Sequence, residues 1–171
     1  MLSAILLASG CSDSKTAAAL NYVQLIREPS VFIVEFDSDL DMEAPYAQNR
    51  HQKIVSKSLK CALGDDQQID VNHKLPAYFM GTVQLHQTAN AKNGTRYRYQ
   101  SRGNFYHDTP GSSDMKLLGE SALAGVLGTK QSVPCKVIMT VYMSSPYYSR
   151  AMAIPVQDII RVTGKAINPG A

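Results

Sequence analysis

AYFMGTVQLHQT, residues 77–88, and TRYRYQSRGNFYH, residues 95–107, are the two stretches that decide the fold. In both stretches apolar or aromatic residues alternate with polar ones, which is the period of a β-strand with one buried face. The linker ANAKNG between them ends in Asn93-Gly94, a pair that tolerates the positive φ values of a tight hairpin turn. The centre of the chain is therefore predicted to be a long antiparallel hairpin.

Further strands are predicted on both sides of this hairpin. SVFIVEFD, residues 30–37, and VPCKVIMTVYMS, residues 133–144, are rich in the β-branched and aromatic residues that favour strands. AMAIPVQDIIRVTG, residues 151–164, is predicted to be a final extended segment broken by Pro155. The chain therefore has enough strands for a sheet built around the hairpin.

Three helices complete the predicted order of elements. Runs of good helix formers indicate helices at residues 16–28, 45–63 and 115–128, and Pro45 suits the first helical position of the second. Because these helices alternate with the strands, the sequence predicts an α+β fold. We expect helices packed on a largely antiparallel sheet, in a single domain over residues 16–165.

Length and composition suit a folded domain and exclude several classes of protein. The chain has 171 residues, of which 44% are hydrophobic and 18% charged, so it can bury a sizeable core. Its net charge of +3 is too low for a dedicated nucleic-acid-binding protein. No apolar run approaches the ~18 residues of a membrane-spanning helix.

The first residues carry the clearest indication of location. An apolar segment, residues 2–8, runs into small residues, a cysteine and a polar continuation, and LLASGCSDSK resembles the lipobox of bacterial lipoproteins. The resemblance implies that Cys11 receives a diacylglycerol and becomes the first residue after cleavage. It also implies that Ser12 directs the protein to the periplasmic face of the outer membrane. The stretch departs from the usual pattern in having no Lys or Arg before the apolar segment, and Ala8 where Leu is usual.

The same resemblance divides the chain into parts. Residues 1–10 are then a signal peptide, residues 11–15 a short lipid-anchored tether, and residues 166–171 a flexible tail beyond the domain. A tether of this length reaches less than about 20 Å at ~3.4 Å per residue. We therefore expect the domain to lie close to the membrane.

The two remaining cysteines fit this interpretation. With Cys11 lipidated, Cys61 and Cys135 are an even pair in an oxidising compartment and can form a disulfide. Cys61 is predicted to face inward from the helix at 45–63. The alternative is two buried thiols that never meet. Neither cysteine has a second Cys or His at ligand spacing, so no metal site is expected.

A basic and aromatic stripe is the most function-like surface feature in the sequence. Arginine and tyrosine side chains can bind the phosphates and sugar rings of lipopolysaccharide or peptidoglycan. The alternation also has a purely structural explanation, because a half-buried strand keeps tyrosines inside and arginines in water. The stripe consists of Lys92, Arg96, Tyr97, Arg98, Tyr99 and Arg102.

No convincing catalytic set emerges from the sequence. His107, Asp108 and Ser113 supply the residue types of a hydrolase triad, but no nucleophile-elbow sequence surrounds the serine and turn chemistry explains HDTPGSSD. The acidic segment DSDLDME, residues 37–43, lacks the glycine of a calcium loop and is predicted to be a solvated turn. We expect no enzymatic activity, no metal and no cofactor.

These observations lead to one main hypothesis and two others. The main one is a non-enzymatic outer-membrane lipoprotein that serves as a structural or assembly component of a cell-envelope machine, of the secretion, conjugation, pilus or flagellar type. Its partners are then the membrane, through the lipid anchor, and a protein at the outer membrane, in a homo- or hetero-oligomer, and not nucleic acid. The second hypothesis is a lipopolysaccharide- or peptidoglycan-binding periplasmic module. The third is a small periplasmic hydrolase.

Overall fold

The predicted hairpin is the longest feature of the structure. A computed structural model describes residues 15–47, 52–91, 94–109 and 114–164. Within these residues, two strands of 15 residues pair antiparallel from Ala77↔His107 to Ala91↔Gly94. The alternation in the sequence therefore corresponds to an antiparallel pair of strands, as predicted.

The other elements lie on both sides of this hairpin. The described residues contain nine strands and three short helices, in chain order: β1 Leu20–Arg27, β2 Phe32–Ser38, α1 Ala44–Ala47, β3 Ile54–Ala62, β4 Ala77–Ala91, β5 Gly94–Asp108, β6 Met115–Leu117, α2 Glu120–Leu127, β7 Ser132–Val141, β8 Tyr147–Tyr148, β9 Met152–Pro155 and α3 Val156–Thr163. Every pairing between these strands is antiparallel.

The strands form one sheet. Its order is β1-β2-β5-β4-β3-β7-β8, with β6 added to the end of β5 and β9 added to β7. The sheet curls so far that its two ends meet. At this junction the amide of Arg150 donates to the carbonyl of Ala18 at 2.9 Å, and the amide of Ala18 donates to the Tyr147 hydroxyl at 2.8 Å. The main hydrophobic core fills the concave side of this sheet and is closed by α2 and α3.

A second, smaller core lies on the opposite face of β3, β4 and β7. Tyr78 and Ile138 alternate along their strands with residues of the main core, so they point outward from it. The segment 63–76 folds over them and buries Ile69 and Leu75 there. Lys60 holds this segment in place by donating to two of its backbone carbonyls.

The prediction of an α+β fold is wrong, because the fold is mainly β. The segment predicted as a helix at 16–28 forms β1, where pairing with β2 along the whole strand outweighs a modest helix propensity. The segment predicted as a helix at 45–63 contains only the four residues of α1 and then β3, in which Leu59 and Cys61 are buried in strict alternation. Because these two segments form strands, they belong to the sheet and not to the layer of helices that was predicted.

The other two differences are smaller. The helix predicted at 115–128 begins with the strand β6, and only Glu120–Leu127 is helical. The extended segment predicted at 151–164 is a strand only up to Pro155. Pro155 stands at the N-cap of α3 rather than interrupting a strand. This helix buries residues at helical spacing: Val156, Ile159, Val162 and Thr163.

Candidate interaction edge between β3 and β4

The two strands beside the central hairpin separate part of the way along the sheet. β3 and β4 pair only from Ser58↔Thr82 to Ala62↔Tyr78. Beyond Ser58, residues 54–57 remain paired with β7, and beyond Thr82, residues 83–91 remain paired with β5. Among the described residues, these two stretches have no ladder partner on the sides that face each other. The sheet therefore has an open edge on β4 here, which we call the β4 edge, residues 83–89.

The opening is continuous with a groove of about 760 Å³. Its floor combines apolar side chains, such as Met80 and Tyr106, with the hydroxyls of Ser58 and Thr82. Charged groups in the groove are already paired, since the Lys57 ammonium lies 2.6 Å from the carboxylate of Glu43 and Arg102 is ion-paired with Glu28. The groove is thus open, of mixed polarity and electrically balanced.

The β4 edge lacks most of the usual protection against pairing. Sheet edges are normally blocked by lysines, prolines, inward-pointing charges or β-bulges. The sequence of residues 83–89 is VQLHQTA, with no proline and no Lys, Arg, Asp or Glu. Leu85 is 43% exposed there, and a bulge between Leu85 and Gln87 leaves His86 without a partner in β5. An extended polypeptide could add to this edge through main-chain hydrogen bonds.

The basic and aromatic stripe lies on β5, and most of its described members are held by the protein itself. The guanidinium of Arg98 donates twice to Asp37, at 2.8 and 3.1 Å, and Arg102 is ion-paired with Glu28. Arg96 is exposed. Binding of envelope glycans by the stripe stays a prediction, since no ligand contact bears on it.

The tyrosines of the stripe face the core, as the alternation predicts. Tyr99 is completely buried and stacks on Phe36, with ring centroids 5.8 Å apart. Burial raises the pKa of its hydroxyl well above the ordinary value, and this hydroxyl accepts a hydrogen bond from the amide of Met42. Tyr97 is half-buried against the same core, and Lys92 lies outside the described residues.

The sequence pattern does not identify a buried glutamate that lies next to the stripe. Glu35 is 7% exposed and accepts hydrogen bonds at 2.6 Å from the amides of both Gln24 and Gln100. These donors, the Gln24 amide first, hold the pKa of Glu35 below its ordinary value despite the opposing effect of burial. Period-2 alternation places Glu35 opposite in direction to its apolar neighbours, but its partners lie on other strands that sequence alone does not identify.

The acidic segment at 37–43 is a turn in which Asp37 is buried, Asp39 is exposed, and Asp41 and Glu43 are partly exposed. Asp37 pairs with Arg98, Asp39 accepts from the amide of Ala19 at 2.7 Å, and Asp41 accepts from the amide of Glu43 at 2.9 Å. The expectation of a solvated turn therefore fails only at the buried carboxylate of Asp37, while Asp39 stays exposed and Asp41 partly exposed. In the part of the chain that the structure describes, no group of three or more His, Cys, Asp or Glu side chains is placed to hold a metal ion.

The proposed catalytic residues are only partly described. His107 and Asp108 lie near the end of β5, where Asp108 accepts a hydrogen bond from the hydroxyl of Tyr78 at 3.1 Å. Burial, and then the Asp108 carboxylate, raise the pKa of Tyr78 to about 12. Ser113 lies outside the described residues, so the triad stays a prediction.

The disulfide prediction is confirmed. Cys61 and Cys135 are opposed residues of β3 and β7 and are joined by a disulfide in the main core. Cys61 lies on a strand, however, and not on the helix predicted at 45–63. The lipidation site, Cys11, and the segments expected to be signal peptide and tail lie outside the described residues.

Comparisons of the chain with protein-family models, with curated proteins and with solved structures found no match. Among the helices within the described ranges, none has the length and apolar character to cross a membrane.

Proposed function

We propose that the protein is a non-enzymatic outer-membrane lipoprotein whose sheet domain is a structural or assembly component of a cell-envelope machine, of the secretion, conjugation, pilus or flagellar type. The observation that carries the proposal is the open β4 edge, which has no proline and no Lys, Arg, Asp or Glu, beside an open groove. An enzyme needs converging reactive groups, whereas an assembly component needs a surface that another chain can extend.

Two observations support the envelope location. The stretch LLASGCSDSK has the order of an apolar segment, small residues and a cysteine that lipidation and cleavage require. The Cys61–Cys135 disulfide is typical of an oxidising compartment such as the periplasm and is uncommon in the cytosol. Both features suit a domain held on the periplasmic face of the outer membrane.

The partner proposed for the edge is an extended segment of another envelope protein. Strand addition recruits a partner through backbone amides and carbonyls, while side chains on alternate positions give selectivity. The exposed side chains on the β4 edge include no Lys, Arg, Asp or Glu: Gln84, Leu85, His86, Gln87, Thr88 and Ala89. We therefore expect a partner strand with few charges of its own.

A pair of variants at one residue tests strand addition. His86 is the bulged residue with no partner in β5, so proline there disturbs the β4–β5 ladder little while it blocks the free edge. We expect a photo-crosslinker at Thr88 to give an adduct with an envelope protein when the chain is produced in a Gram-negative host with its machine. The adduct is lost in His86→Pro and retained in His86→Ala, which keeps the backbone amide. An adduct present in both variants, or absent from the parent chain, contradicts the proposal.

The anchor has its own test. Cys11→Ser removes the thiol that would carry the lipid and changes no residue of the described sheet. We expect the variant to leave the membrane fraction and appear in the periplasmic extract with an unchanged circular dichroism spectrum and an intact Cys61–Cys135 disulfide. A variant that stays in the membrane fraction contradicts the anchor.

A further inference from the structure

The turn after β7 exposes two large side chains on a strained backbone. Tyr142 is 60% and Met143 84% exposed, and the amide of Ser144 closes the turn on the carbonyl of Val141 at 3.3 Å. Met143 has φ of 54°, a left-handed conformation that glycine or asparagine adopts more readily. Neither the left-handed backbone nor the exposed side chain of Met143 stabilises the fold, which indicates a functional reason for this residue.

An exposed apolar residue and a cation lie beside this turn. The amide of Tyr142 donates to the carbonyl of Lys53 at 2.8 Å, and the Lys53 side chain is exposed. Val55 is 69% exposed at a bulge of β3, between the residues that pair with the last two positions of β7. We call these four residues, Lys53, Val55, Tyr142 and Met143, the 142–143 face.

The first described residue of the chain is fixed next to this face. The ammonium of Lys15 donates to the side-chain carbonyl of Gln52 at 2.7 Å and lies 3.7 Å from the centre of the Tyr46 ring. Gln52 directly precedes Lys53, whose carbonyl binds Tyr142. The segment that leads back to Cys11 therefore starts within one or two side-chain lengths of the 142–143 face.

We infer that the 142–143 face lies against the phospholipid bilayer. The inference rests on the proposed lipid anchor, because four residues from Cys11 to Lys15 span at most about 14 Å. A lipid on Cys11 thus keeps Lys15, and the face beside it, near the bilayer surface. The side chains suit that position, since tyrosine is favoured at membrane interfaces and an exposed lysine is attracted to anionic headgroups.

The exposed apolar residues of β6 do not share this position. Met115 and Leu117 are also exposed, but they lie on β6, which pairs with the end of β5 farthest from the hairpin turn. The contacts of Lys15 are with α1 and with the start of β3, at the other end of the sheet. Proximity to the tether, together with the cation, therefore distinguishes the 142–143 face from the exposed residues of β6.

A tryptophan placed on the face reports its contact with lipid, because the chain has no tryptophan of its own. The full chain carrying Met143→Trp, purified from membranes of a Gram-negative host, is reconstituted into vesicles of equal parts phosphatidylethanolamine and phosphatidylglycerol. We expect its emission to shift to shorter wavelength and to be quenched when the phosphatidylglycerol is brominated. The matched control, Met115→Trp, should keep the emission of a water-exposed indole and resist quenching.

Flotation of the vesicles separates the two proposals. Protein that floats with the vesicles but shows no quenching in Met143→Trp keeps the anchor and overturns the membrane face, leaving those side chains to a protein partner. Equal quenching in Met115→Trp overturns it too, since the domain then has no preferred face. Protein that fails to float contradicts the anchor, and the inference falls with it.

Discussion

Cys61 and Cys135 stand directly opposite each other on β3 and β7, with Cα atoms 4.0 Å apart, and their disulfide closes a span of 74 residues. A slip of one residue between these strands would turn the two side chains to opposite faces of the sheet. The disulfide therefore links β3 and β7 covalently and also fixes the register between them. This register also determines which residues of β3 border the groove.

Removal of the disulfide is the first prediction. We expect the Cys61→Ala/Cys135→Ala double variant to lose about 2–4 kcal/mol in the free energy of unfolding, because the unfolded chain regains the freedom of a long loop. Urea unfolding followed by circular dichroism measures the loss. Under reducing conditions the parent chain should approach the stability of the variant, while the variant itself should not respond to reductant. A parent chain equally stable with and without reductant would contradict the prediction.

A pair of glycines permits the closest approach within the central hairpin. Gly81 and Gly103 are partners in the β4–β5 ladder, and a Cβ on Gly103 would overlap the carbonyl of Met80. We expect Gly103→Ala to destabilise the protein by at least about 3 kcal/mol, since only backbone movement can make room. The control is Gly125→Ala in the exposed part of α2, where nothing lies within 4 Å of the new methyl group. That variant should gain up to about 1 kcal/mol of stability. Thermal unfolding of both variants checks the pair.

The buried Glu35 predicts a dependence of stability on pH. Because its folded-state pKa is below the ordinary value of 4.5, the ionised carboxylate stabilises the protein above that pH. This contribution is lost as the pH falls through the folded-state pKa. We expect Glu35→Gln to cost about 1–3 kcal/mol near neutral pH, where the two amides of Gln24 and Gln100 lose a charged acceptor.

The pH profile separates this effect from a simple packing defect. The difference between Glu35→Gln and the parent chain should narrow as the pH is lowered from the ordinary value of 4.5 through the folded-state pKa, because the parent carboxylate becomes neutral. Glu120→Gln, which removes an exposed ion pair with Arg27, should cost less than about 1 kcal/mol at any pH. A difference for Glu35→Gln that stays constant with pH would contradict the assignment.

The sequence identifies strands where two-residue alternation coincides with a strong turn signal, and it fails where local propensity opposes a distant partner. β4 and β5 meet both conditions, so the sequence predicted both the strands and which of their side chains point inward. The stretch at 16–28, which contains β1, is rich in good helix formers such as its three consecutive alanines, so it was predicted to be a helix. Yet Pro29 and Ser30 lie in the turn that Glu28 and Val31 close by a backbone hydrogen bond at 2.9 Å. Two apolar runs around such a turn are also the pattern of a hairpin.

The candidate site is harder to predict because it is formed by non-local pairing. Arg98 and Asp37 are separated by 61 residues, and only the register of β2 on β5 brings them together. The open edge depends on the residue at which β3 leaves β4, and no local pattern encodes that point. The disulfide could be predicted from the number of cysteines and the expected oxidising compartment, without knowledge of the strands.

The last prediction concerns how firmly the chain ahead of β1 is attached to the domain. The Tyr147 hydroxyl accepts a hydrogen bond from the buried amide of Ala18 at 2.8 Å, and burial raises the pKa of this tyrosine. We expect Tyr147→Phe to leave that amide without its acceptor, at a cost of about 1–3 kcal/mol. Hydrogen exchange should quicken most at residues 16–19, because the Ala18 contacts join them to β8 and Arg150.

The control for this variant is Tyr142→Phe, which removes a hydroxyl from an exposed ring. It should change neither the free energy of unfolding nor the exchange at residues 16–19 measurably. If Tyr147→Phe accelerates exchange evenly over the whole sheet, the hydrogen bond supports global stability and not the local attachment. If exchange quickens only ahead of β1, the Tyr147 hydroxyl keeps the tether short, and a lipidated form of the variant should lose lipid quenching in a Met143→Trp background while still floating with vesicles.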